Sequence, residues 1–151
     1  MQMQRPPLHN DRFAAWFCVA TAFAALPVAY GVAAAGYGVA THNPLRDLAA
    51  IALWSVAEEI VFRGALQPAI ARVIPLGAVA WVSPANALTS LVFAALHLWR
   101  HPPLVAVFIF PVSLVYGRAR ELSGRTWPAA ALHVYFNLLL YAASAWLAAG
   151  R

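Results

Sequence analysis

Three ionisable side chains lie in the middle of an otherwise apolar stretch of the chain. Glu58, Glu59 and Arg63 are embedded in residues 48–71, where most neighbours are aliphatic or aromatic. A charge at the centre of a bilayer costs roughly 2.5–3.5 kcal/mol, so three unpaired charges would cost about 8–10 kcal/mol. Large apolar residues return only about 0.3–0.6 kcal/mol each. We therefore expect these side chains to face a protein interior or a wet cavity, where intramembrane carboxylates usually serve a function.

The composition is that of an integral membrane protein. Of 151 residues, 63% are hydrophobic and 10% are charged, whereas soluble domains carry about 25% charged residues. Each crossing of a bilayer needs about 20 residues, so the length allows five or six spans and no second domain. We predict an all-α membrane protein with one integral domain over residues 1–151. It would be a polytopic bundle of five or six transmembrane helices with a polar site buried within the membrane.

Hydropathy divides the chain into five apolar segments. They are residues 13–39, 45–71, 84–99, 104–117 and 126–149. The connector 72–83 is apolar enough to lie in the interface or re-enter the membrane, and the loop 118–125 is the most charged. Arginines are more frequent on the side that holds the N-terminus, so the positive-inside rule predicts a cytoplasmic N-terminus.

The charges and the single cysteine exclude some classes of function. All ten basic residues are arginines, and they are scattered rather than clustered with aromatic residues. This pattern does not indicate a nucleic-acid partner. Cys18 is the only cysteine, so no disulfide can form within the chain.

Helical spacing predicts which of the buried charges can pair. Glu59 and Arg63 are four residues apart and share a helix face, with the glutamate on the N-terminal side as such pairs prefer. Glu58 is rotated by about 100° and is left as the spare carboxylate. Its neighbours at helical spacing are Ser55 and Phe62.

The third apolar segment places several polar residues on one helix face. Asn86, Ser90, Phe93 and His97 recur at steps of four, three and four residues, which is the spacing of a helical stripe. We expect the polar members of this stripe to face inward.

The last segment carries a second polar pair, His133 and Asn137, again four residues apart. At about 1.5 Å per residue, these two side chains, Glu58 and His97 can reach a common depth in the membrane. The pattern therefore predicts one intramembrane site built from three helices.

A carboxylate, two imidazoles and an amide suit the hydrolysis of a peptide bond. Glu58 can take a proton from a water molecule as it attacks a carbonyl group and later return it to the leaving amine. One histidine can orient the water, while the other and Asn137 stabilise the oxyanion. We expect no cofactor, but the pattern leaves open a divalent metal such as zinc, held by Glu58, His97 and His133.

Three motifs resemble those of a known family. Residues 58–64 resemble the Glu-Glu-x-x-x-Arg motif of the CAAX-protease and bacteriocin-processing (CPBP, Abi-like) intramembrane proteases. Residues 93–97 are similar to their Phe-x-x-x-His motif, and residues 133–137 to their His-x-x-x-Asn motif. The motifs occur in the same order, and the resemblance extends over about residues 48–140. This range would be the catalytic core.

The resemblance implies a glutamic-type intramembrane endopeptidase, although members of the family have also been described as metalloproteases. It implies that Glu58 is the general base with His97 beside it. His133 and Asn137 would form the oxyanion side. The remaining motif residues, Glu59 and Arg63, would be a supporting pair.

The family also implies a class of substrate. Its members cleave near the C-terminal end of membrane-associated or lipidated proteins and peptides, and the CAAX members cut after a prenylated cysteine. The small size and the abundance of Ala and Arg favour a bacterial member, located in the inner membrane. Typical relatives have more spans, so a partner chain could complete this one.

Two other functions use the same residues. In a proton- or cation-coupled carrier, the carboxylates and histidines would form a relay. The chain has no visible inverted repeat and is short for a transporter core, which weighs against a carrier. A non-catalytic membrane subunit, acting in immunity or as a chaperone, could retain the fold without the chemistry.

Overall fold

The structure is a computed structural model that describes residues 11–37, 43–75 and 81–150. Its α-helices are α1 (Asp11–Val32), α2 (Pro44–Glu59), α3 (Gln67–Val73), α4 (Pro84–His97), α5 (Pro103–Ser123) and α6 (Trp127–Ala149). A π-helical segment, Ala33–Tyr37, extends α1, and a second one, Ile60–Leu66, joins α2 to α3. The prediction of one domain over residues 1–151 reaches beyond the described ranges and stays a prediction.

The described residues form an all-α membrane bundle, as predicted. Three helices are long and apolar enough to cross a membrane: Arg12–Gly36, Pro103–Ser123 and Trp127–Ala149. The predicted second segment forms α2, the π-helical segment and α3, and it carries the buried charges. The predicted third segment forms α4, whose 14 residues span only about 21 Å. The connector 72–83 includes residues outside the described ranges, so its crossing is not described.

Helix α6 lies at the centre of the bundle. It packs against α1, α2 and α5, while α4 packs against α5 and α3. The apolar core between α5 and α6 is formed by Tyr116, Ala119, Ala129 and Leu132. This arrangement brings the polar faces of α2, α4 and α6 towards one another.

Helices α4 and α5 approach closely at Gly117. A Cβ atom at this position would lie 1.8 Å from Asn86 Oδ1. The amide of Asn86 is held there because its Nδ2 donates to the carbonyl of Leu114 at 2.9 Å and its Oδ1 accepts from Ser90 Oγ at 3.1 Å. Glycine is therefore required at position 117 for the α4–α5 contact.

Helix α2 begins one residue before the predicted segment 45–71. Pro44 occupies the first turn, where its missing N–H costs nothing. The side chain of Asn43 caps the helix by accepting a hydrogen bond from Arg46 N at 3.1 Å.

The end of α5 differs from the prediction. The predicted loop 118–125 is wrong, because α5 continues to Ser123 and ends at Gly124, whose φ is 67°. The charged residues of this turn find partners in the bundle. Arg120 Nε donates to the carbonyl of Arg63 at 3.2 Å, and Glu121 Oε1 accepts from Gln67 Nε2 at 3.1 Å.

A buried polar stripe runs along α2, the π-helical segment and α3. It consists of Ser55, Glu59, Arg63 and Gln67, all of which are buried. In a regular α-helix a four-residue repeat rotates by about 40° per step, so such a stripe would turn away from the bundle. The wider turns of the π-helical segment counteract this rotation, and such segments are frequent at functional sites.

Candidate active site

One cavity of about 540 Å³ lies between the helices. Glu58 from α2, His97 from the end of α4, and His133 and Asn137 from α6 all lie in its wall. The structure therefore brings together the four residues that the sequence predicts as a site.

The rest of the cavity wall is mostly apolar. The contributing aliphatic and aromatic side chains are Val28, Val32, Ala50, Ile51, Trp54, Phe93, Pro102, Val105, Phe108, Ile109, Val112, Tyr116, Phe136 and Leu140. They come from α1, α2, α4, the loop before α5, α5 and α6. The polar groups thus occupy one part of a cavity that suits an apolar ligand.

The ion pair predicted within α2 and its extension is present and fully buried. Arg63 Nη1 donates to Glu59 Oε1 at 2.9 Å, and neither side chain is exposed. Arg63 Nη2 donates to the carbonyl and the hydroxyl of Ser113 on α5. The guanidinium also lies 4.9 Å from the ring centroid of Phe93, close enough for a cation–π interaction. Arg63 therefore ties α5 to the α2 extension.

Glu59 has a second partner that sequence reasoning missed. Its Oε1 lies 3.0 Å from His133 Nδ1. Because a carboxylate accepts, Nδ1 carries the proton and donates. The other ring nitrogen, Nε2, lies 3.8 Å from Glu58 Oε2. Nε2 can therefore donate only when His133 carries a proton on both ring nitrogens.

The ring of His133 is also held by an aromatic neighbour. Tyr116 on α5 stacks on it, with ring centroids 4.9 Å apart and planes inclined by 21°. Sequence reasoning missed Tyr116 and Ser113, because the apolar pattern of the fourth segment gives no signal for either.

Glu58 is the least constrained member of the site. Its side chain is 35% exposed, and none of the hydrogen bonds between described residues that define the site includes it. The contact with His133 is too long for a direct hydrogen bond. The carboxylate is thus accessible to a molecule in the cavity.

His97 is fixed through its backbone neighbour one turn earlier. The carbonyl of Phe93 lies 2.8 Å from His97 Nδ1, so this nitrogen donates and Nε2 is left for the cavity. Its ring stacks on His101 at 5.8 Å. Sequence reasoning assigns no role to His101, although it lies four residues beyond His97, and the structure places it in the cavity wall. Burial, His97 and Arg100 lower the pKa of His101.

Asn137 is bound to a residue of α2. Its Nδ2 donates to Ser55 Oγ at 3.0 Å. Ser55 is 2% exposed and also lines the cavity. From sequence, Ser55 was recognised only as a helical neighbour of Glu58.

The predicted metal ligands are not gathered as a metal site. Among the described residues, no three His, Cys, Asp or Glu side chains come together in a way that could hold an ion. Glu58, His97 and His133 share the cavity but do not form such a cluster. We therefore derive no chemical step through a metal.

A family model described as type II CAAX prenyl endopeptidase, Rce1-like, matches residues 40–139. The chain belongs to this family. The range matched by the Rce1-like model contains all four cavity residues predicted from sequence, and the membership confirms the resemblance to the CPBP proteases. No curated protein and no solved structure matches the chain. The protein is thus a membrane-embedded member of a protease family.

Proposed function

We propose that this protein is an intramembrane endopeptidase that cleaves near the C-terminal end of a membrane-associated or lipidated protein or peptide. The observation that carries the proposal is the convergence of Glu58, His97, His133 and Asn137 in the wall of one apolar cavity. Family membership supports the peptidase class. The geometry supports a mechanism in which a glutamate activates water.

In this mechanism Glu58 acts as general base. It removes a proton from a water molecule while the water oxygen bonds to the substrate carbonyl carbon, and the carbonyl oxygen becomes an oxyanion. When the tetrahedral intermediate collapses, the C–N bond breaks and Glu58 returns the proton to the amine. His97 orients the water through Nε2, since its Nδ1 is bound to Phe93.

The oxyanion is stabilised by groups on α6. His133 contributes through Nε2 when its ring is doubly protonated, and the bond from Nδ1 to Glu59 holds the ring in place. Asn137 contributes an amide N–H. Glu59 and Arg63 act indirectly, by holding the orientation of His133.

The apolar side chains of the cavity wall favour a substrate that enters from the membrane. Trp54 of α2 and Phe108 of α5 line the cavity and are 66% and 49% exposed. A soluble peptide would gain little from such a surface, whereas an apolar tail or a lipidated residue would bury it favourably. For the orientation of the protein, the arginine distribution supports a cytoplasmic N-terminus in a bacterial inner membrane.

Internally quenched peptides in detergent or liposomes test the proposal. One ends in a prenylated cysteine and three further residues, the second lacks the lipid, and the third ends in a hydrophobic tail. We expect wild type to cleave the first or the third faster than the second. Glu58→Gln, His97→Ala and His133→Ala should lower the rate of cleavage at least about 100-fold. Asp47, a carboxylate on the same helix, lies outside the cavity wall, so Asp47→Asn should not lower it.

The same variants distinguish the competing functions. Equal cleavage by wild type and the three cavity variants would refute the protease. A carrier would instead show proton or cation flux in liposomes without peptide, abolished by Glu58→Gln. A non-catalytic subunit would show neither activity.

A further inference from the structure

Ser55 lies in the wall of the candidate active site, although no motif includes it. It precedes Glu58 by about one helical turn, so the two side chains project from the same face of α2. Ser55 is 2% exposed, and it lines the same cavity as Glu58. A polar side chain this deeply buried in a membrane bundle needs a partner.

The hydrogen bond from its partner, Asn137, leaves the hydroxyl proton of Ser55 unused. Asn137 Nδ2 donates to Ser55 Oγ at 3.0 Å, so the oxygen acts as acceptor. Serines in helices usually return their O–H to a carbonyl one turn back, as Ser123 does to Ala119 and Ser144 to Leu140. Within the described ranges Ser55 makes no such bond. Its proton is therefore free to be donated into the cavity.

The neutral form of His133 lacks a hydrogen-bond donor on Nε2, and the Ser55 hydroxyl can supply one. While the ring is neutral, its proton resides on Nδ1 and is donated to Glu59, so Nε2 has no hydrogen to offer. The Ser55 hydroxyl and the Asn137 amide, in contrast, do not lose their hydrogens at any pH at which the enzyme would be assayed. Asn137 also has a second Nδ2 hydrogen that is not used by Ser55.

We propose that Ser55 is a further catalytic residue, whose hydroxyl donates a hydrogen bond to the oxyanion together with the second N–H of Asn137. The inference rests on the proposed peptidase function. No covalent bond forms to Ser55 and its proton stays on Oγ. The bond from Asn137 polarises the hydroxyl and strengthens its donation, because hydrogen bonds in a chain reinforce one another.

Kinetics of Ser55 variants on the best-cleaved quenched peptide test this role. Removing one oxyanion donor costs about 10²–10³ in kcat, so we expect Ser55→Ala to lower kcat by about this factor with KM unchanged. Ser55→Thr, which keeps the hydroxyl, should recover most of the rate. The loss of transition-state stabilisation in the double variant should be smaller than the sum of the losses in Ser55→Ala and Asn137→Ala, since the two groups act as one unit.

Ser90 provides a matched control. It is as deeply buried as Ser55, its Oγ bonds to an asparagine, Asn86, and it does not line the cavity. Ser90→Ala should cost stability without changing kcat of the folded enzyme. Thermal unfolding in detergent confirms that each variant is folded before kinetics are compared.

The outcomes separate this inference from the proposed function. If Ser55→Ala keeps kcat within about threefold of wild type while Glu58→Gln is inactive, the role of Ser55 is refuted and the peptidase stands. Equal losses of kcat in Ser55→Ala and Ser90→Ala would also refute it. Covalent labelling of Ser55 by a fluorophosphonate during turnover would refute the donor role, because it would show that Ser55 acts as a nucleophile. An active Glu58→Gln would refute the proposed function itself.

Discussion

Glu59 Oε1 accepts a hydrogen bond from His133 Nδ1 at 3.0 Å, which joins two residues separated by 74 positions in the sequence. The same oxygen accepts from Arg63. One buried carboxylate oxygen therefore holds both the structural cation and the proposed catalytic imidazole. The two neighbouring glutamates of the motif thus have different tasks, and mutations can separate them.

Glu58→Gln and Glu59→Gln should have opposite profiles. Glu58 makes no hydrogen bond to another described residue, and its oxygen lies 3.8 Å from His133 Nε2. Glu58→Gln should therefore leave the unfolding temperature nearly unchanged and lower kcat by about 10²–10⁴, the usual contribution of a general base. Glu59→Gln leaves Arg63 buried without its counter-charge and should destabilise the fold by about 3–5 kcal/mol. Peptide cleavage and thermal unfolding in the same detergent measure both effects. A stable, active Glu59→Gln protein would contradict the assignment.

The two nitrogens of His133 can be replaced separately. Asn in its place keeps a donor near the position of Nδ1, whereas Gln reaches the position of Nε2. We expect His133→Asn to retain the contact with Glu59 and near-normal stability, with kcat lowered about 10²–10³-fold. His133→Gln should unfold at a lower temperature because Glu59 loses a donor. The reverse ranking of stabilities would show that Nδ1 is not the structural nitrogen.

Activity should survive the removal of divalent metal. The described residues form no group of three or more His, Cys, Asp or Glu side chains that could hold an ion. In the proposed mechanism Glu58 takes the proton of the water that His97 orients, without a metal. After dialysis against a strong chelator, we expect kcat and KM to remain within about twofold of their starting values. Loss of activity on chelation, with recovery on adding zinc, would overturn the glutamate-only mechanism.

Gly117→Ala should destabilise the protein without touching the chemistry. The new Cβ would collide with the amide of Asn86, which is fixed by two hydrogen bonds. Overpacking of this kind costs about 1–3 kcal/mol. Gly31→Ala on α1 is the control, because nothing lies within 4 Å of its added Cβ. Unfolding temperatures compare the two, and equal values would show that α4 and α5 can separate at little cost.

Local patterns predicted much of the fold. The fifth apolar segment, 126–149, corresponds to α6 (Trp127–Ala149), because hydropathy is a property of a single helix. The pairing of Glu59 with Arg63 was predicted for the same reason, since four-residue spacing fixes a common face. Sequence also placed Glu58, His97, His133 and Asn137 at one depth, and the structure puts them in one cavity.

Contacts between helices were not predictable from such patterns. The bond from His133 to Glu59 and the one from Asn137 to Ser55 depend on how α6 is rotated against α2, which no local spacing encodes. The prediction of a loop at 118–125 is wrong because a high density of charged residues is typical of loops, whereas here they continue α5 to Ser123. Arg120 in fact remains helical, since the carbonyl of Arg63 is available to accept its Nε–H.

Arg63 gives the fold an unequal tolerance to evolutionary change. It joins Glu59 to Ser113 of α5 inside the bundle, so replacing it would break the scaffold as well as the site. Glu58 makes no hydrogen bond of this kind to another residue in the described ranges. A descendant that abandons hydrolysis can therefore exchange Glu58 and keep its architecture. Loss of the first glutamate with retention of the second would be the mark of a pseudoenzyme built on this bundle.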